Sequence, residues 1–298
     1  MKDWKNTIHN KSLFEAAKIL PDQSVDLFVL DPPYFKVVNE KWDKEWKNID
    51  EYLEWTSRWL NEVCRVSKLN SSLWIFGFPY QLSRILPIIE SCGFKFRQQI
   101  VIWKGMKSAA GRVSKKLKMF PTTTESIFFF AKDSIPDIRK LLSGKKNEFG
   151  YTSKEINDYL GKASNGGGTW SQIAGLKQKT PVQPVRDDWE KLDKLFGGLP
   201  NYDDMVYTFD LPMGLTDVWD DISFYYKKGT KIHPTQKPEQ LISRIVKASS
   251  KEGQVVADFF MGSGTTAVCA KKLNRNFFGC EIDKDYYDKA LDRLINIK

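Results

Sequence analysis

Apolar positions along this 298-residue chain fall into two kinds of run that alternate. Short runs rich in β-branched and aromatic residues, closed by turn formers, predict strands over 7–8, 25–30, 72–77, 98–103, 125–131, 254–258 and 277–281. Between them, apolar residues recurring every three or four positions predict amphipathic helices over 12–20, 49–66, 81–91, 238–249, 265–273 and 284–297. Ser12 with Glu15 forms the pattern of a capping box at the first helix start. Tyr52, Leu53, Trp55, Trp59, Leu60 and Val63 make the apolar stripe of the second helix. Pro238 suits the first turn of the helix that follows it. Strand–helix alternation over most of the chain predicts an α/β sheet covered by helices.

Residues 133–230 break that rhythm and read as an insertion with a small core of its own. Thr152 and Glu155 repeat the capping-box pattern and open a helix through 160. Glycines 166–168 make a loop, a short helix is predicted over 169–176, and Pro181 and Pro184 break the chain before a third helix over 187–196. Helices in this order suggest a helix-turn-helix-like unit. Residues 36–48, polar and rich in Trp and Lys, suggest a lip over a cleft.

Charge narrows the partner. Forty-six Lys and Arg against 37 Asp and Glu leave a formal net charge of +9, a balance that favours a polyanion, nucleic acid above all. Lys104, Lys107, Arg112, Lys115, Lys116 and Lys118 occur among Gly, Ser and Ala with no acid between them, the pattern of a loop that orders on phosphates. Cys64, Cys92, Cys269 and Cys280 are widely spaced, which suits reduced thiols and a cytoplasmic location. With only two histidines, no metal is expected. No apolar run is long enough for a membrane span.

Two strand ends carry the candidate chemistry. The run 25–30 leads into Asp31-Pro32-Pro33-Tyr34, and the run 254–258 leads into Asp258-Phe259-Phe260-Met261-Gly262-Ser263-Gly264-Thr265-Thr266. The second is a strand, glycine turn, helix and strand ending at the acid Glu281, the arrangement of a Rossmann-type nucleoside site. Spacing alone does not separate NAD from S-adenosylmethionine. No Gly-Lys-Ser/Thr follows the turn, which excludes a P-loop. In the first motif two prolines remove two N–H donors. The carbonyls of Asp31 and Pro32 then join the Asp31 carboxylate in an acceptor-only cluster suited to an exocyclic amine, and Tyr34 can stack on a planar base. Such a site fits methylation of an NH₂ group.

Those motifs, with Ser72-Leu73-Trp74-Ile75-Phe76, Ile102-Trp103-Lys104 and His233-Pro234-Thr235-Gln236-Lys237-Pro238, resemble the amino-methylating DNA methyltransferases of the permuted β group, N6-adenine type. The resemblance implies a Rossmann-like, seven-stranded, mostly parallel methyltransferase sheet with helices on both faces. Residues 1–132 would be its catalytic half, 133–230 a target-recognition insertion and 231–298 its S-adenosylmethionine-binding half. Asp31, Pro32, Pro33 and Tyr34 would hold and stack a flipped adenine, with Asp31 also bordering the cofactor. Asp258, Phe259, Phe260, Gly262, Ser263, Gly264 and Thr265 would carry the cofactor's methionine part, and His233, Thr235 and Lys237 its carboxylate side. Glu281, with Asp283 beside it, would take the ribose hydroxyls. His9 and Asn10 fall where relatives usually show Gly-Asp-Cys beside the adenine ring, so Asn10 stands in place of the acid; Phe259 stands where many relatives have Pro.

The implied substrate is double-stranded DNA, with the target base flipped because a stacked amine is out of reach. Aspartate at the first motif position points to adenine. N4-cytosine relatives more often carry Ser there, and enzymes acting on RNA or protein amides tend to carry Asn and to lack so long an insertion. An inactive DNA-binding protein is the reading from another class. Relatives often pair through sheet-flanking helices, so the resemblance admits a homodimer, and also a cognate restriction endonuclease, without requiring either.

Overall fold

The computed structural model describes residues 4–35, 46–105, 120–132, 135–163, 168–175, 182–206, 209, 214–226 and 231–297. Among them, strands β1 (Thr7–His9), β2 (Val25–Leu30), β3 (Ser67–Gly77), β4 (Phe94–Trp103), β5 (Thr124–Lys132), β6 (Val218–Trp219), β7 (Val255–Asp258) and β8 (Asn276–Cys280) form one sheet. Its order is β1-β8-β7-β2-β3-β5-β4-β6. All neighbours run parallel except β3 with β5 and β5 with β4. The sheet therefore has eight strands, not seven. The extra one, β6, pairs Val218 and Trp219 with Val101 and Ile102, and two residues carry no periodicity to read.

Flanking helices are α1 (Leu13–Ala17), α2 (Ile49–Val66), α3 (Pro79–Ser91), α9 (Glu239–Ser249), α10 (Thr265–Lys272) and α11 (Lys284–Ile295). Every residue of β2 is buried, as a parallel strand covered on both faces requires. Phe28 and Leu30 join a core cluster with Leu13 of α1, Trp59, Leu60 and Val63 of α2 and Leu82 and Ile85 of α3. Leu27 and Val29 point the other way and are equally buried, and α9 lies against β2. The capping box of α1 forms as expected: Glu15 N–H donates to Ser12, and Ser12 N–H donates to Glu15 Oε2 at 3.2 Å. Pro238 turns out to be the N-cap of α9 and not part of its first turn.

A separate compact unit spans Asp133–Thr208, while the chain from Phe209 onward belongs with the sheet. The expected insertion, drawn to residue 230, thus closes earlier, because β6 joins the edge of the sheet. Within the smaller unit lie α4 (Ile135–Phe149), α5 (Ser153–Leu160), α6 (Gly168–Ala174), α7 (Arg186–Phe196) and α8 (Tyr202–Met205). Ile138, Leu142, Ile156, Leu160, Trp170, Ile173, Trp189, Leu192 and Phe196 are among its buried apolar residues. The second capping box also forms, with Thr152 N–H donating to Glu155 Oε2 at 2.7 Å. Helix α4 was not among the expected elements; Gly144 interrupts its pattern, and among its described side chains Ile138 and Leu142, one turn apart, are the buried apolar ones.

Candidate active site

β2 and β7 lie side by side, with Leu27 opposite Val256 and Phe28 opposite Ala257. Asp26 clamps them together: its Oδ2 accepts from Val255 N–H at 2.8 Å, and Lys68 Nζ sits 2.9 Å from its Oδ1. Beyond this pair the chain departs in opposite directions, β2 towards β3 and β7 towards β8. The loops diverge at such a switch point and leave a crevice at the carboxyl ends of the strands. Here it is a cavity of about 550 Å³ bordered by both motifs, within the size range of small-molecule sites.

At one end stands the Asp-Pro-Pro-Tyr turn. Tyr34 Oη donates to Asp31 Oδ1 at 2.5 Å, and Lys237 Nζ approaches Asp31 Oδ2 at 2.9 Å. Tyr52 of α2 donates to Pro33 O at 3.1 Å, and Phe78 meets the Tyr34 ring edge-on at 5.4 Å. Burial pushes the Asp31 carboxyl up, opposed by Lys237 and reinforced by Glu125. The Tyr34 hydroxyl is pushed well up, by burial first and by Asp31 next.

The other end is the glycine turn and Glu281. Gly262 and Gly264 adopt φ of 51° and 76°, left-handed values open to glycine at little cost. A Cβ at Gly264 would also come within 2.9 Å of Ala290 Cβ on α11. Glu281 ties the turn: its Oε2 accepts from Gly262 N–H at 2.7 Å and its Oε1 from Asp283 N–H at 2.9 Å. Burial raises the Glu281 carboxyl above its ordinary value. Asp258 accepts from Phe260 N–H at 2.9 Å and from Thr266 Oγ1 at 2.6 Å; burial nevertheless pushes it up to about 7. Arg293 of α11 braces the turn from behind, donating to Ser263 O at 2.6 Å and Thr265 Oγ1 at 3.1 Å.

His233 lies against this turn, its ring meeting Tyr286 edge-on at 4.1 Å. Thr235 N–H donates to its Nδ1 at 3.2 Å. Burial, then the charge of Lys237, pushes the imidazole down from 6.5 to about 4. A group whose pKa falls on folding contributes stability above its unfolded value and loses it as pH drops through the folded one. The stability conferred by a neutral His233 is therefore complete above pH 6.5 and lost on acidification towards about 4. Thermal unfolding followed across that window should fall more steeply for the wild type than for His233→Gln; identical slopes would remove His233 from the acid response.

The sequence-predicted residues distribute unevenly. Asp31, Pro32, Pro33, Tyr34, His233, Thr235, Lys237, Asp258, Phe259, Phe260, Gly262, Ser263, Thr265, Glu281 and Asp283 border the cavity; His9, Asn10 and Gly264 do not. His9 Nε2 instead meets Thr7 Oγ1 at 2.9 Å. Asn10 Nδ2 donates to the carbonyls of Glu281 and Ile282 at 3.0 and 3.1 Å, so it shapes the loop that carries Glu281. Asp283 Oδ1 caps α11, accepting from Asp285 and Tyr286 N–H at 2.9 and 3.1 Å. Lys104 is paired with Glu125 Oε2 at 3.3 Å. Lys107, Arg112, Lys115, Lys116 and Lys118 lie outside the described residues, as do residues 36–45 of the expected lip.

Several wall residues escaped sequence reasoning. Phe14, Trp55 and Tyr286 border the cavity, as does Trp46 from the expected lip 36–48, with Trp55 4.7 Å from Trp46 and 6.0 Å from Phe260, centroid to centroid. Trp55 carried a signal, but as one more apolar position of the α2 stripe it read as core. Among the described residues no group of three or more His, Cys, Asp or Glu is placed to hold a metal ion, and no helix is long and apolar enough to cross a membrane.

The Asp31 turn and the Glu281-tied glycine turn thus border one crevice at the switch point of the α/β sheet. The chain belongs to the N6/N4 DNA methylase family, whose sequence model matches residues 25–292. It is 31% identical over 293 residues to the type II methyltransferase M1.MboII of Moraxella bovis, covering 96% of this chain and 95% of that one. To the type II methyltransferase M.HinfI of Haemophilus influenzae it is 28% identical over 312 residues, covering 100% of this chain and 70% of the relative. Among solved structures, the M1.HpyAVI–SAM complex superposes with a TM-score of 0.58 at 20% identity, over 98% of this chain and 99% of that one. The cytosine-N4-specific PvuII DNA methyltransferase gives 0.58 at 15% identity, over 98% and 88%. These structures share the fold.

Proposed function

We propose that this protein transfers a methyl group from S-adenosylmethionine to the N6 amine of a flipped adenine in duplex DNA. The observation that carries the reading is the meeting of Asp31 and the Glu281-tied glycine turn at one cavity across the β2/β7 switch point. Aspartate at the first position of the tetrapeptide selects adenine over cytosine in this reading.

The cavity residues fit the cofactor. Left-handed glycines let backbone approach a ligand closely, and each Glu281 oxygen keeps acceptor capacity beyond the N–H bond it already takes, enough for the ribose hydroxyls. When bound, S-adenosylmethionine supplies an electrophilic methyl group. Phe260, Gly262, Ser263 and Thr265 line the methionine side together with His233 and Thr235. Asp31 accepts an N–H from the target amine, which draws the nitrogen lone pair out of ring conjugation and aims it. The ring of Tyr34 stacks on the base, and Asp31 stands beside the nitrogen to receive the proton it sheds. Lys104, Lys107, Arg112, Lys115, Lys116 and Lys118 contact phosphates, and the helical unit reads base edges.

Labelled S-adenosylmethionine, the purified protein and mixed-sequence duplex DNA test the reading once the product is digested to nucleosides. Label on N6-methyl-2′-deoxyadenosine is the expected result. Label on N4-methyl-2′-deoxycytidine would keep the cleft and the cofactor but overturn the choice of base, and label on neither would overturn DNA amine methylation.

A further inference from the structure

Glu125 belongs to none of the motifs. It lies near the start of β5, opposite Ile102 of β4, and β3 separates β5 from β2. Its side chain nevertheless reaches the catalytic turn through one intermediary. Glu125 Oε1 accepts from Lys237 Nζ at 2.6 Å, and the same ammonium stands 2.9 Å from Asp31 Oδ2. Lys237 is 11% exposed and Glu125 12%, and the ammonium also lies 4.7 Å above the ring of Phe76. Lys104 takes the second Glu125 oxygen at 3.3 Å. Two carboxylates and two ammonium groups thus alternate, Asp31–Lys237–Glu125–Lys104, and balance in charge.

We propose that Glu125 is a positioning residue for methyl transfer: it divides the Lys237 ammonium between two carboxylates and so orients Asp31 while keeping it a strong acceptor. This rests on the amine-methylating reading of the site. Asp31 must satisfy two demands. Its carboxylate must be held in one rotamer, which Tyr34 does at Oδ1 and Lys237 at Oδ2. It must also retain enough basicity to accept the target amine. A lysine paired with Asp31 alone, in a buried setting where charge attraction is strong, would saturate the oxygen it touches. Glu125 makes the shorter contact with that lysine and draws its charge away. Electrostatics agree with the geometry. Burial acts to raise Glu125, yet Lys237 and then Lys104 outweigh it and hold the carboxyl below its usual value. Lys237 is raised by Asp31 and Glu125 against the lowering effect of its own burial.

The test compares the full-length wild type with Glu125→Gln, which keeps shape and removes charge. Three quantities are read: kcat at saturating cofactor, the Kd for S-adenosylmethionine, and the titration midpoint of Asp31. The last comes from carbon NMR of carboxyl-labelled aspartate, its resonance identified by its absence in Asp31→Asn. The charged and titratable groups facing Asp31 are Lys237 ahead of α9, Glu125 on β5, Asp258 at the end of β7 and Tyr34 on its own loop. Glu125 raises Asp31, so its neutralisation should move the midpoint to lower pH. We expect kcat to fall about tenfold or more, the scale on which misplacing a reacting group acts, with cofactor Kd unchanged within about twofold. Glu125→Gln leaves a buried ammonium less well paired, so Glu125→Gln/Lys237→Gln, which removes the pair together, separates folding from positioning. In the double variant thermal stability should recover while kcat stays low. Wild-type kcat and midpoint in Glu125→Gln, or recovery of kcat with stability in the double variant, would overturn the proposal. Should the wild type label neither base, the amine-methylating reading fails, and the Asp31 midpoint still decides whether Glu125 acts on that carboxylate.

Discussion

Replacement of Asp31 by alanine is expected to lower kcat for methyl transfer by about 10³-fold, the scale on which removal of one preorganised polar group from a reacting centre acts. The loss should fall on kcat and leave cofactor binding in place, since Glu281 and the glycine turn that frame the rest of the cavity do not depend on Asp31. Folding should also survive. Lys237 loses one partner but keeps Glu125 at 2.6 Å, so no ammonium is left buried alone, the situation that makes broken buried pairs costly. The measurement is kcat beside an equilibrium titration with S-adenosylmethionine. Parallel loss of both would show that Asp31 builds the cavity and does not act on the amine. That outcome would extend to Tyr34, whose hydroxyl is held by Asp31.

Glu281→Gln should have the second largest effect, and on the other quantity. The carboxylate is acceptor-only, and it receives N–H groups from Gly262 and Asp283 at its two oxygens. An amide turns one of those oxygens into a donor facing a donor, and leaving a buried N–H unmatched costs about 1–3 kcal/mol. The same change removes an acceptor for the ribose. Together these predict a weakening of cofactor binding by about 10²-fold, from the unmatched N–H and the lost charge-assisted bonds. At saturating cofactor kcat should largely recover, because Asp31, Tyr34 and Lys237 stand at the far end of the cavity. Calorimetric titration with S-adenosylmethionine checks the first part. A Kd equal to that of the wild type would mean that Glu281 serves the turn alone.

Much of this molecule is legible in its sequence, wherever local chemistry is sufficient. α2 runs over Ile49–Val66, as its apolar stripe predicts. Both capping boxes form, because Ser12 with Glu15 and Thr152 with Glu155 need nothing beyond their own turn. Gly262 and Gly264 occur where the backbone turns left-handed, and the hydrophobic runs of β2 and β7 deliver Asp31 and Asp258 to strand ends. Local signals fail where polarity hides an element: β3 begins at Ser67, five residues ahead of its apolar run, because Val25 pairs with it.

Strand order, by contrast, was decided in three dimensions. It sets β2 beside β7 and makes one cavity of two distant motifs. It also brings Glu125, an ordinary polar residue at a strand start, to the ammonium of Lys237, and sets Asn10 Nδ2 against the carbonyls of the Glu281 loop. Periodicity records which face of an element is buried, since that depends on neighbours three or four residues away. Which distant carboxylate meets which ammonium depends on how the elements stack, and it is that stacking that takes both charges out of water.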